Sequence, residues 1–315
     1  MRYGCKTFVA ETVAAFDCGS NSTRLLIVDA SNTTLVRETN ITRLSQGVDA
    51  SGSLLVEAMA RTFEVLGRYR AACERTGVTK GLLVATSAVR DARNGSAFLA
   101  RARDIVGFEA TVLEGDQEAA LSYAGATSDL DELSVPTMMV DVGGGSTELA
   151  VDLDGTLVSH SMQLGCVRVT ERALGRGVVT PSSDAAARAM IESELDRALD
   201  AAPALARVVS KVRLVGVAGT VATLAQLDAG QSRYERDDVH HRVLTQATVR
   251  HWRDLLSRET PEVRLTHPGM VHGREDVMPA GLFVLDAVMA RFKVGELLSS
   301  ENDILDGIAI SLRGT

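Results

Sequence analysis

The chain has 315 residues and a formal net charge of −8. That length is large for one core and predicts about two domains, while the acidity argues against sequence-independent binding to nucleic acid, which needs a broad basic surface. Mean hydropathy is +0.08 and no apolar run approaches the roughly 20 residues that span a bilayer, so no membrane partner is expected and an anionic substrate must be met by a local cationic pocket.

The N-terminal stretch "MRYGCKTFVAET" has neither an apolar h-region nor a small-residue cleavage site, and residues 1–12 read as a poorly ordered extension rather than a secretory leader. Cys5, Cys18, Cys73 and Cys166 are too widely spaced for a CxxC pair and suit reduced thiols in the cytoplasm. A buried strand follows at Val13–Phe16; it ends on Asp17, is interrupted by Gly-Ser-Asn-Ser, and resumes at Leu25–Val28. Residues 54–77 carry helical periodicity with a glycine stop. "LLVATSAVRDA" (82–92) is a β-branched run that turns helical at Ser87, a residue suited to an N-cap.

A Gly-, Ser- and Asp-rich region at 124–136 predicts a domain change. Beyond it "VDVGGGSTELAVDL" (140–153) repeats "FDCGSNSTRLLIVD" (16–29) at a constant offset, with Asp17 on Asp141, Gly19 on Gly143, Ser22 on Ser146 and Thr23 on Thr147. Residues 181–202 form a Pro-started helix, and "RLVGVAGTVATLA" (213–225) repeats the pattern of 82–92, with Thr220 in the place of the Ser87 cap. His240 and His241 follow "YERDDV" with no HExxH or HxxxH spacing, which predicts a solvated loop rather than a zinc site.

Two related α/β halves, each offering an acidic Gly-rich hairpin and a helix start, make a phosphate site between them. Successive N–H groups in such turns form an anion nest, and the carboxylates make sense beside phosphate once a divalent cation joins them.

Read in order, "FDCGSNSTRLLIVD", "TSAVRDARNG", "EGDQEAALSYAGA", "VDVGGGSTELAV", "QLGCVRVTE", "GVAGTVATLA" and "GREDVMPAG" resemble the exopolyphosphatase and guanosine pentaphosphate phosphatase family (Ppx/GppA), within the sugar kinase, heat-shock chaperone and actin superfamily. The resemblance implies an α/β fold of two duplicated ribonuclease-H-like domains, over 13–125 and 126–299. The active site would lie in the cleft between them, and a C-terminal helix near 300–315 would pack back on the first.

By the same resemblance Glu118 matches the catalytic glutamate, acting with Asp141 and Glu148. Asp17, Asp141 and Glu148 are assigned to Mg²⁺, with Mn²⁺ as a substitute. Ser20, Asn21, Ser22, Arg90, Gly144, Gly145, Ser146, Gly219 and Thr220 are assigned to phosphate, and Arg168 and Arg172 to a track for a polyanion.

Exopolyphosphatase activity on inorganic polyphosphate is the leading expectation, with short chains favoured because long family members continue into an HD-type domain that the resemblance does not cover. Hydrolysis of guanosine pentaphosphate is the alternative, and a non-catalytic polyphosphate or nucleotide sensor is the alternative of another class. Aromatics make up only 4% of the chain, and none but Phe16 lies beside the phosphate turns, so little apolar pocket for a purine is expected. A homodimer is the implied assembly.

Overall fold

A computed structural model describes residues 11–131, 134–231 and 233–314; the N-terminal extension over 1–12, with Cys5, lies almost wholly outside them. The first sheet contains β1 (Val13–Cys18), β2 (Ser22–Val28), β3 (Thr34–Ile41), β4 (Lys80–Ala85) and β5 (Glu109–Val112), in the order β3-β2-β1-β4-β5. The second contains β6 (Thr137–Val142), β7 (Thr147–Leu153), β8 (Thr156–Met162), β9 (Arg213–Val217), β10 (Val243–Thr245) and β11 (Glu296–Ser299), in the order β10-β11-β9-β6-β7-β8. Without the edge strand β10 the two orders are the same. Each begins with an antiparallel meander and adds parallel strands beside its first strand. The fold is the duplicated α/β architecture expected from the repeat.

β1 is buried along its whole length, as befits a central strand covered on both faces. Its alternation divides the lobe. Ala14, Phe16 and Cys18 join Leu66, Tyr69 and Phe98 beneath the helices Val56–Thr76 and Gly95–Val106. Val13 and Ala15 face the other way, onto Ile304, Leu305 and Ile308 of the C-terminal helix Ile304–Arg313. In the second lobe Met138, Val140, Leu149 and Val151 pack on helices that include Pro181–Ala201 and Met278–Phe292. Met139, Ala150 and Val215 cover Ala119 and Ala126 of the helix Gly115–Ala126. No helix among the described residues is long and apolar enough to cross a membrane.

Two helix starts differ from expectation. The helix Ser87–Arg90 has Thr86 at its cap position without a side-chain capping bond, and Ser87 Oγ instead pairs with Ser20 Oγ at 2.9 Å. The helix Ala218–Ala229 begins two residues before Thr220, whose hydroxyl donates to the Val142 carbonyl at 3.1 Å. Both hydroxyls stitch neighbouring segments together, because each lies just inside its helix and has lost the extended geometry that a cap requires.

Helices 115–126 and 304–313 cross in close contact between the two sheets. A Cβ on Gly125 would lie 1.8 Å from the Asp303 carbonyl oxygen, and one on Gly307 would lie 2.0 Å from that of Leu121. Neither obstacle is a flexible side chain, so the backbones must separate to admit a methyl group. Gly125→Ala is therefore expected to destabilise the protein by about 1–3 kcal/mol or more, read as a lower midpoint in chemical denaturation; wild-type stability would contradict this account of the crossing.

Candidate active site

The two repeated turns close alike: Gly19 N–H donates to the Ser22 carbonyl at 3.0 Å, and Gly143 N–H to that of Ser146 at 3.1 Å. They interlock across the cleft. A Cβ on Gly144 would meet the Ser20 Cβ at 2.8 Å, and one on Gly145 would meet the Ser87 Oγ at 2.4 Å, so glycine is required here by the opposing lobe as well as by any phosphate. Asp17, Ser20, Asn21, Ser22, Glu118, Asp141, Gly144, Gly145, Ser146 and Gly219 all line one cavity.

Strand register sets the acids. Asp141 lies opposite Glu148 across β6 and β7, and the equivalent places across β1 and β2 hold Asp17 and Arg24. The duplicated hairpins thus present a carboxylate pair in one lobe and an ion pair in the other. Arg24 donates Nε and Nη2 to Asp17 Oδ2 at 2.9 and 2.7 Å, and its Nη1 reaches Asp303. Asp17 Oδ1 is buried and has no hydrogen-bond partner. Ser122 donates to Asp141 at 3.0 Å and Ser161 to Glu148 at 2.7 Å.

Glu118 sits in the first turn of helix 115–126, whose start is secured by Glu114 N–H donating to the Gln117 side chain at 3.0 Å. Although charged by type, Glu118 is 7% exposed. Arg90 supports it from behind, donating to the Leu113 carbonyl at 2.7 Å and standing 3.5 Å from Glu118 Oε2; it does not line the cavity, contrary to its expected place on the phosphate.

Burial pushes the Glu118 carboxyl well above its usual range, with Glu148 and Asp141 adding repulsion. Glu148 rises to about 8, from burial and then the charge of Asp141. Asp141 rises to about 6 through burial, tempered by Arg24, and burial likewise raises Asp17 against the pull of Arg24. Four buried carboxylates with one unpartnered oxygen among them fit a hard, oxygen-seeking divalent cation: Asp17, Asp141 and Glu148 are the residues that would hold it.

Arg274, which sequence reasoning missed, supplies the positive charge. It is 8% exposed, burial lowers its pKa, and its guanidinium makes no hydrogen bond or ion pair among the described residues. It lines the cavity and lies over Gly219, where a Cβ would come within 1.8 Å of its Nη2. Gly219 is thus the seat of Arg274, and Thr220, outside the cavity, closes strand against helix. Arg274 stands within the quoted "GREDVMPAG", but no periodicity marks it; Arg24 was discoverable, since it occupies in one copy the place of Glu148 in the other.

Arg168 and Arg172 do not form a polyanion track. Arg168 is buried, donates to the Gly145 carbonyl and Asp91 at 2.7 Å each, and pairs with Asp49 at 3.1 Å. Arg172 reaches the same Asp49 at 2.7 Å. Both arginines spend their charge joining the lobes, which a sequence pattern of cations cannot distinguish from a free strip.

His240 and His241 stand in the turn between the helix Arg236–Val239 and β10, with His241 exposed as expected of a solvated loop, but neither ring is free. Their rings stack 3.8 Å apart and both face Asp129, at 2.8 and 3.4 Å. Glu301 N–H donates to His240 Nδ1, which places the ring proton on Nε2, toward Asp129, and makes that nitrogen a donor rather than a metal ligand.

An α/β protein of two like lobes, with acids and phosphate-type turns facing one cleft, is the class that fold and site define. A sequence model of the Ppx/GppA phosphatase family matches residues 26–313, and the chain belongs to that family. Exopolyphosphatase 2 of Mycobacterium tuberculosis is 37% identical over 319 residues, covering 96% of this chain and 98% of its own. A solved structure described as an exopolyphosphatase-like protein superposes with a TM-score of 0.88 at 31% identity, covering 95% of this chain and 98% of its own. The guanosine-5′-triphosphate,3′-diphosphate pyrophosphatase of Vibrio atlanticus is 27% identical over 305 residues, covering 95% of this chain and 59% of its own.

Two measurements follow from the charge arrangement. Because the carboxyls titrate higher folded than unfolded, the metal-free fold holds extra protons, and its stability should fall as pH rises from the ordinary carboxylate range to about 8. Thermal melts in chelator should show this fall, and Glu148→Gln should flatten it; a stability that climbs over that range would contradict the shifts. Arg274→Met is expected to abolish the rise in Tm that added phosphate gives the wild-type protein; an undiminished rise would contradict the place of Arg274 on the anion.

Proposed function

We propose that this protein is an exopolyphosphatase that uses Mg²⁺, or Mn²⁺ in its place, to hydrolyse the terminal phosphoanhydride of inorganic polyphosphate. The observation that carries the reading is the unpaired, buried Arg274 in one cavity with the carboxylates of Asp17, Glu118 and Asp141; Glu148, which is buried and does not line that cavity, lies opposite Asp141 across β6 and β7. An anion is what Arg274 lacks and a cation is what the acids lack; a phosphate chain with its metal supplies both. The identity to a named exopolyphosphatase along nearly the whole chain supports the same reading.

In this reading the backbone N–H groups of the Ser20–Ser22 and Gly144–Ser146 turns donate to phosphoryl oxygens, and Arg274 pairs with the terminal phosphate. Glu118 accepts a proton from the attacking water as its oxygen bonds to phosphorus; the anhydride P–O bond breaks and the shortened chain carries away the electron pair. When bound, the divalent cation neutralises charge on the phosphoryl oxygens. The interlocked turns and the Arg168 contacts hold the lobes together and keep water from the nest.

The second reading, a guanosine pentaphosphate 5′-phosphohydrolase, gains from one observation that corrects the expectation of little apolar pocket. A cavity of about 480 Å³ adjoins the phosphate site, sharing Arg24, Gly219 and Arg274 with it, and is lined by Ile41, Val271 and Tyr234 among others. That volume falls within the usual range for small-molecule sites. Its aromatic comes from residue 234, far in sequence from either turn. We still favour polyphosphate, in short chains because Arg168 and Arg172, the cations expected to carry a longer chain, are engaged by Asp49 and Asp91. The cytoplasm suits the free, buried Cys18, Cys73 and Cys166, and the homodimer belongs to the same reading.

Glu118→Gln is expected to lower kcat roughly 10²- to 10⁴-fold with KM largely retained. Phosphate release from short and long polyphosphate and from guanosine pentaphosphate, with Mg²⁺ or chelator, checks both readings. Full turnover in chelator would remove the metal from the reading, and more efficient hydrolysis of guanosine pentaphosphate than of every polyphosphate would transfer it to the nucleotide.

A further inference from the structure

We propose that Asp303, at the start of the C-terminal helix, is a positioning residue for the phosphohydrolase reaction: through Arg24 it fixes which oxygen of Asp17 faces the cleft. The inference rests on the function proposed above. Asp303 is buried and its two oxygens are divided between two tasks. Oδ1 accepts the Leu305 N–H at 2.9 Å, capping helix 304–313. Oδ2 accepts from Arg24 Nη1. Arg24 in turn spends both Nε and Nη2 on Asp17 Oδ2, leaving Oδ1 buried and unpartnered on a residue that lines the cavity.

The surroundings hold Asp303 still. Its own N–H donates to Asp306 at 2.9 Å, and its carbonyl is pressed against Gly125. The preceding residues are anchored by Arg37 on the Glu301 carbonyl at 3.0 Å and by Arg236 on the Asn302 side chain at 2.6 Å. A guanidinium held between two carboxylates cannot slide toward either. With the Asp303 charge removed, Arg24 is drawn to Asp17 alone and can cover Oδ1, the oxygen a cation needs. An outer partner of this kind typically matters about 10- to 100-fold in metal affinity or activity.

Asp303→Asn tests this, because asparagine caps a helix as well as aspartate does while removing the charge; Asp303→Ser is a second variant that keeps the cap. Either should lower kcat and weaken Mg²⁺ activation by about 10-fold, with KM for polyphosphate unchanged, when both are measured well below the Tm of each variant. In an Arg24→Gln background the Asp303 substitution should add nothing further, since both changes break one relay. Unchanged kcat and Mg²⁺ activation, a loss that follows the Tm of both variants, or a full additional loss in the Arg24→Gln background would overturn the proposal. The Mg²⁺-induced rise in Tm needs no turnover. If wild type shows that rise but hydrolyses no polyphosphate or nucleotide, the proposed function fails on its own, and the rise in each variant still decides the role of Asp303: a diminished rise upholds it and an undiminished one removes it.

Discussion

Keeping four carboxylates out of water in one cleft is the constraint to which the rest of the structure answers. Each would be costly to bury alone, and together Glu118, Asp141 and Glu148 repel one another. The protein limits that cost unevenly. In the first lobe the strand position that repeats as Glu148 is Arg24, which neutralises Asp17. In the second the acids are left facing each other, supported by the hydroxyls of Ser122 and Ser161 and, at Glu118, by Arg90. A symmetric duplication would give either two ion pairs, with no claim on a cation, or two acid pairs, with too much charge to fold around. Divergence of one residue pair makes a site from a repeat.

The same constraint explains why the lobes are fastened so firmly. Ion pairs from Arg168 and Arg172 to Asp49, and from Arg43 to Asp276 at 3.1 Å, cross the interface away from the acids. Hydrogen bonds and glycine contacts join the turns themselves. Such a site is preorganised: its donors are already placed where charge would develop, and little rearrangement is left for the moment of reaction.

Much of this was legible in the sequence, and the failures share a cause. The repeat exposed the two hairpins, because strand periodicity and turn residues are local properties. The family motifs pointed to Glu118, Asp141 and Glu148, and the structure gathers them. Missed were the partners that only tertiary structure supplies. Nothing near residue 168 announces Asp49 and Asp91, so a latch read as a track; nothing near residue 274 announces that its guanidinium has no acid to meet. Tyr234 reaches the edge of the cleft from a distant loop, and so the neighbouring cavity was invisible to a search of the turns. Ser87 and Thr220 were misplaced for a smaller reason: helix starts slip by a residue or two when packing, rather than a cap, fixes the first turn.

The crossing of helices 115–126 and 304–313 bears on how the molecule comes into being. Val13, Ala15, Leu26 and Val28 form an apolar face of the first sheet whose cover is the C-terminal helix. During synthesis the N-terminal strands leave the ribosome first, and that face stays open to solvent until the final helix follows. The first lobe therefore cannot mature as an independent early unit, as N-terminal domains generally do. Its completion, the docking of helix 115–126, and the arrival of Asp303 beside Arg24 become one late event. A nascent or prematurely terminated chain would carry the catalytic acids without the closed cleft that makes them a site, and its uncovered sheet face would offer chaperones a natural foothold.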